Sequence, residues 1–156
     1  MSTLEILLDE YGDSHQNKTN KAVHWVCVPV IVWTVVALLW SLPFPFTVDS
    51  SPVPVNWATI ILVLAQIYYF KLSFRLGLGL LVYNGLMVAL AAWVDSNAPW
   101  PLWQVALVLF VLAWIGQFIG HKIEGKKPSF FKDVQFLLIG PAWLMSFIYR
   151  AAGIRF

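Results

Sequence analysis

Five apolar runs, each bounded by prolines or by clusters of polar and basic residues, leave this chain few options other than a bundle of membrane-crossing helices. They cover about Ala22 to Leu42, Trp57 to Phe70, Leu76 to Val94, Leu102 to Glu124 and Val134 to Ala152. Crossing the hydrocarbon core takes about 20 mostly apolar residues. The second run reaches that length only if it extends through Lys71 to Phe74 with Lys71 snorkelling. The fifth is interrupted by Gly140-Pro141, which predicts either a kinked span or a re-entrant hairpin. Prolines and the stretch Asp49 to Pro54 mark a loop after the first run, and Asp95 to Pro101 a turn after the third.

Composition supports this reading. The chain is 60% hydrophobic and 12% charged, whereas soluble domains average roughly 45–50% apolar and 25% charged residues. The expected fold is all-α: a polytopic membrane helical bundle of four spans plus a fifth Gly-Pro segment, forming one integral membrane domain over residues 1–156. Upstream, Ser2-Thr3-Leu4-Glu5 reads as a capping box, and Leu4, Leu7, Leu8 and Tyr11 form one apolar stripe. They predict a short amphipathic helix on the membrane surface. Acidic residues stand where a signal peptide would be basic, so no cleaved leader is expected.

Charge orients the threading, because Lys and Arg concentrate on cytoplasmic flanks. Lys18, Lys21, Lys71, Arg75, Lys122, Lys126, Lys127 and Lys132 fall on one side when the first four runs alternate, eight of the ten basic residues. Only Arg150 and Arg155 stay undecided. They lie inside if the fifth segment doubles back and outside if it crosses. A net charge of +2 without a basic stripe excludes nucleic acid as a partner. The single cysteine, Cys27, excludes an intrachain disulfide and a thiolate metal cluster.

The chemistry sits in the three histidines. His15, His24 and His121 all fall where a hydrophobic run meets its basic flank, and the threading puts them on the same, cytoplasmic face. Ionisable residues at membrane depth are scarce and tend to be functional. Gln117, His121 and Glu124 are spaced by four and three, which lines one helix face. Asn17, Asn20 and His24 form a similar stripe. His15 is nine residues from His24, half a turn out of phase, so the chain must break between them if both face one centre.

Three neutral imidazoles with a carboxylate or water suit divalent iron or zinc, and spacing alone leaves the two open. Asn17, Asn20 and Gln117 are placed to hydrogen-bond the non-ligating ring nitrogens. Glu124 is the candidate catalytic carboxylate, as a ligand or as a proton-transfer partner. Lys126 and Lys127 are placed to pair with an acidic headgroup or substrate carboxylate. Each residue has a plainer reading. A lone interfacial histidine is usually a polar anchor, Asn17 and Asn20 can cap the first span, and Glu124 can pair with Lys127 on the surface. Gln66 and Asn84 read as interhelical glue. Gly116 and Gly120 read as close-packing points, and most tryptophans as an interfacial belt.

The string Tyr11-x-x-x-His15-x-Asn17-x-x-Asn20-x-x-x-His24, with Trp114-Ile115-x-Gln117-Phe118-x-Gly120-His121, Glu124, Lys126-Lys127-Pro128 and Gly140-Pro141, resembles a known family. Its members are small polytopic membrane proteins related to the yeast 2-hydroxy fatty acid dioxygenase of phytosphingosine breakdown. The resemblance runs from about Leu4 to Ala152. It implies an iron(II)-dependent alpha-oxidation in which a long-chain 2-hydroxy fatty acid and O₂ give a fatty acid one carbon shorter and CO₂. It makes His15, His24 and His121 the expected iron ligands, in the bacterial inner membrane or the endoplasmic reticulum. The alternative class is a non-enzymatic lipid-binding or assembly-helper protein, which predicts no bound metal.

Overall fold

The computed structural model describes residues 2–46, 55–128 and 135–156. The loop expected at 49–54, Lys132 and the start of the fifth run lie outside the described residues. The described residues form six helices: α1 (Thr3–Gly12), α2 (Lys18–Trp40), α3 (Trp57–Leu72), α4 (Phe74–Asn97), α5 (Leu102–Glu124) and α6 (Phe136–Ala151). No strand occurs among them. Three of these helices, α2, α4 and α5, are long and apolar enough to cross a membrane. Their outward faces carry Val26, Val82, Leu86, Val108 and Leu112, each more than half exposed. Such apolar outer surfaces suit lipid rather than water.

The long helices α2, α4 and α5 frame the bundle, and the shorter α3 packs against α4 and α2. α2 and α5 pack most intimately, and Gly116 allows it, since a Cβ there would lie 2.8 Å from Cys27 Sγ. α3 leaves the far end, where Trp57 Nε1 donates to the Pro43 carbonyl at 3.0 Å, and returns to the basic end. There a single residue reverses the chain. Ser73 is extended (φ −160°, ψ 123°), ends α3, and caps α4 through its Oγ, which accepts from Leu76 N at 3.2 Å. The far end is ringed by Trp93, Trp100 and Trp103, all largely exposed, while Trp40 Nε1 donates to Asp95 there. Mid-bundle, Gln66 Nε2 donates to the Gly77 carbonyl at 2.8 Å and Asn84 Nδ2 to Gln66 Oε1 at 3.1 Å. The pair is interhelical glue, as its placement predicted.

Two expectations are corrected at the basic end. The Gly140-Pro141 step neither breaks the chain nor turns it back, because α6 is one helix with Pro141 inside it. Nor does α6 run to the far side. Near its start Tyr69 Oη donates to the Leu138 carbonyl at 2.9 Å, and near its end Tyr149 Oη donates to the Arg75 carbonyl at 2.7 Å. Tyr69 and Arg75 flank the same α3–α4 turn. Both ends of α6 are thus held at the basic end. Arg155 follows, its carbonyl accepting from Arg75 Nη1.

The second correction concerns α1. Its capping box forms as predicted, with Ser2 N donating to Glu5 Oε2 at 2.6 Å and Glu5 N to Ser2 Oγ at 3.2 Å. Its apolar stripe does not lie on lipid. Leu4, Leu8 and Tyr11 are buried in a cluster with Phe136, Ile139 and Trp143 of α6. α1 and α6 together therefore close the basic end of the bundle.

Candidate metal centre

His15, His24 and His121 come together beneath that closure. Each arrives by a different route. His24 sits in the second turn of α2, whose start is fixed by Asn17, its Oδ1 accepting from Thr19 N at 2.8 Å and Asn20 N at 3.4 Å. His15 lies in the link between α1 and α2, where the chain breaks as the phase argument required. His121 is in the last turn of α5, which ends at Gly125 in the left-handed region (φ 73°). All three are buried, at 1%, 1% and 4% exposure. Their ring centroids are 4.1 to 4.9 Å apart. One nitrogen from each lies within 4.8 Å of the other two.

The backbone fixes how two of the rings present themselves. His15 Nδ1 faces the Tyr11 carbonyl at 2.5 Å and His24 Nδ1 the Asn20 carbonyl at 2.9 Å. A carbonyl only accepts, so each Nδ1 carries its proton, a tautomer assigned from the acceptor it meets. Each Nε2 is then a bare lone pair, and the two stand 2.8 Å apart. Two lone pairs so close repel unless a cation lies between them. A proton is a poor candidate, since burial pushes the His15 imidazolium down to about 4. His121 Nδ1 is buried with no hydrogen-bond partner. A donor set this electron-rich fits a divalent transition metal. Two nitrogens on one ion are at most about 4.2 Å apart, twice a bond of 2.0–2.1 Å, so the cluster needs to close by less than about 1 Å.

Around the histidines the chain builds an aromatic cradle. The Tyr11 ring stacks on His15 at 4.3 Å and 10°, and Trp143 of α6 lies 5.2 Å from His15. Gly140 admits the Tyr11 hydroxyl, which would sit 3.1 Å from a Cβ there. A cavity of about 50 Å³ adjoins the cluster, lined by Gln117, Trp114 and Phe136 besides the histidines. Trp114 stands in the motif that carries the resemblance but is given no role there, and Trp143 is not singled out, because most tryptophans read as a membrane belt. The Tyr11-to-His15 spacing of four was the one available signal for the stacking.

The polar residues around the histidines do different work from that expected. Asn17 and Asn20 do not bond the imidazoles through their side chains, since main-chain carbonyls take that task. Glu124 does not enter the imidazole cluster. Its Oε1 accepts from Gln16 N at 2.9 Å, and its Oε2 from Asn17 N at 2.8 Å and Asn20 Nδ2 at 3.1 Å. It clamps the His15 link onto the end of α5. Gly120 lets Asn20 approach, since a Cβ there would collide with Asn20 Oδ1. Lys126 strengthens the clamp by donating from Nζ to the Asp13 carbonyl at 2.6 Å. Lys127 lines an open depression with His121, Lys122 and Phe118. Gln117 stays beside His121, one turn earlier, at the cavity wall.

A family model described as "2-hydroxy-palmitic acid dioxygenase Mpo1-like" matches residues 1–152. The chain belongs to the Mpo1-like family. This Mpo1-like chain is 28% identical over 143 residues to the 2-hydroxy-palmitic acid dioxygenase MPO1 of Saccharomyces cerevisiae, covering 90% of this chain and 76% of the yeast protein. No solved structure matches it. Within the Mpo1-like chain, the match takes in α1, the His15 link, α5 and all of α6, the elements that assemble and roof the histidine cluster.

Proposed function

We propose that this protein is an iron(II)-dependent dioxygenase that converts a long-chain 2-hydroxy fatty acid into the fatty acid one carbon shorter and CO₂. The observation that carries the reading is the buried trio of imidazoles whose lone pairs converge without a protein donor to satisfy them. The activity for which the yeast relative is named supports the substrate class. The reaction balances without a further reductant: a 2-hydroxy acid and one O₂ give the shortened acid, CO₂ and water. Four electrons leave the two terminal carbons and reduce the O₂.

His15, His24 and His121 hold the metal, and three protein ligands leave positions open for substrate, the mark of a catalytic site. When bound, iron(II) supplies the one-electron chemistry that lets O₂ react with a closed-shell acid. The rest falls to the chain. The Tyr11 and Asn20 carbonyls keep Nδ1 protonated on two ligands, so their Nε2 atoms stay turned to the centre. Glu124 is a positioning residue that acts through the His15 link. Lys127 stands by the open depression beside His121, where it attracts the substrate carboxylate. Trp114, Val28 and Phe136 wall the cavity with apolar surface and exclude bulk water.

We place the site on the cytoplasmic face, following the positive-inside rule, with membrane lipids as the surrounding solvent. The test is elemental analysis of detergent-purified protein together with O₂ uptake on a long-chain 2-hydroxy acid. Iron near one atom per chain and stoichiometric loss of acid and O₂ are expected. Zinc in place of iron would redirect the site to hydrolysis, and a metal-free protein would move the reading to lipid binding without chemistry.

A further inference from the structure

A second cavity continues from the first. It is a cleft of about 570 Å³ between the helices, and it shares Ile31, Val32, Trp114 and Leu137 with the small cavity at the histidines. Resting on the oxygenase reading above, we propose that this cleft receives the hydrocarbon tail of the substrate, and that Ala65 sets how long a tail it takes.

The cleft is lined almost wholly by aliphatic and aromatic side chains, and three of the polar residues on its walls already hold hydrogen bonds. Asn84 Nδ2 donates to Gln66 Oε1, Tyr69 Oη to the Leu138 carbonyl, and Gln135 Nε2 to Tyr68 Oη. A guest there finds an apolar wall, which suits an acyl chain and disfavours anything that needs hydrogen bonds. Its volume lies within the range of ordinary ligand pockets, roughly 300–1,000 Å³.

Length agrees as well. From His24 to Leu39, the deepest α2 residue of the cleft, is 15 residues of one helix, or about 22 Å. That exceeds the ~15 Å of one leaflet, half of the bilayer core, so a tail long enough to live in a membrane fits. The far end is stopped by the packed cluster of Val36, Ala58 and Ala91, against which Leu39 and Leu62 lie. The sides are not sealed. Val35 at 40% and Ile61 at 45% exposure form a lip open to the bilayer. A tail enters sideways from the lipid while its carboxylate stays at the basic end.

Ala65 is the smallest side chain lining the cleft. It packs on the same cluster as Val32, which also lines the histidine cavity. Bulk at this position therefore takes up room inside the cleft that the tail would occupy. Methylenes that no longer fit cost about tenfold or more in specificity.

The decisive measurement is photolabelling of the full-length protein in liposomes with 2-hydroxy fatty acids bearing a diazirine at mid-chain or at the chain terminus. The mid-chain probe is expected to label Ile31, Val32 or Trp114, and the terminal probe Val36, Leu39, Ile61 or Leu62. Equal labelling of the outer positions Val82, Leu86 and Leu112 overturns the proposal. Ala65→Phe is expected to lower turnover of the longest accepted acid about tenfold or more while sparing shorter ones. An unchanged length profile in a variant that still retains metal also overturns it. Labelling with the non-hydroxylated analogue separates the two readings. Cleft labelling without turnover of either acid upholds the tail site and removes the oxygenase, whereas turnover with labels elsewhere removes the tail site alone.

Discussion

Among the described residues, two groups of buried polar side chains settle their hydrogen bonds in opposite ways. At mid-bundle Gln66 and Asn84 exchange donor and acceptor with each other and with the Gly77 carbonyl. At the basic end His15 and His24 give their protons to carbonyls and turn bare nitrogens toward one another, and His121 keeps a buried Nδ1 without a partner. The first arrangement is complete with protein atoms alone. The second becomes favourable only when a cation joins it. Buried polarity in a membrane protein therefore does not by itself mark function. The mark is buried lone pairs that the fold holds in place and leaves unsatisfied.

The sharpest way to break this contrast is to remove a lone pair. His24→Ala and His121→Ala are each expected to abolish stoichiometric metal and to lower 2-hydroxy acid turnover at least about 100-fold, more than a change outside the ligands usually costs. Elemental analysis beside an O₂ electrode reads both, and full metal in either variant would erase the distinction between the clusters. A step down in effect, Glu124→Gln keeps the shape of the clamp but replaces an acceptor of the link amides with a donor. Metal affinity or activity should fall about 10–100-fold while the folded protein still elutes as a single species. Wild-type affinity there would mean that the His15 link holds its place without the clamp.

The smallest effect belongs to the other cluster. Gln66→Leu removes both bonds of the mid-bundle pair and is expected to cost about 1–2 kcal/mol of stability in detergent. Its bound metal should be unchanged. A loss of metal in this variant would tie the two clusters together and dissolve the contrast.

Much of the bundle was legible in advance because apolar runs in lipid have one solution, the helix that satisfies its own backbone. Leu102–Glu124 is one helix, as its run predicted, and the capping box at Ser2 forms because local spacing alone defines it. Gly116 and Gly120 sit at close approaches between α2 and α5. Elements whose position depends on partners were less visible. Ser73 divides α3 from α4 without glycine or proline, so the second and third runs meet two residues earlier than the break at Arg75 between them suggested. The Gly140-Pro141 pair looked like a break, yet the helix passes through it.

The site divides along the same line. The order of residues determined that three histidines sit at the ends of their runs and on one side, since alternation of spans and the distribution of lysines are properties of the chain itself. Only the folded bundle decided what their neighbours do. Glu124 reaches across more than a hundred residues to amides that have no side-chain signature, and the Asn17 side chain caps α2 while that of Asn20 bonds Glu124, neither meeting a ring. Main-chain donors and acceptors carry no identity in a sequence, so which imidazole nitrogen faces the centre is fixed by tertiary contact and by nothing earlier.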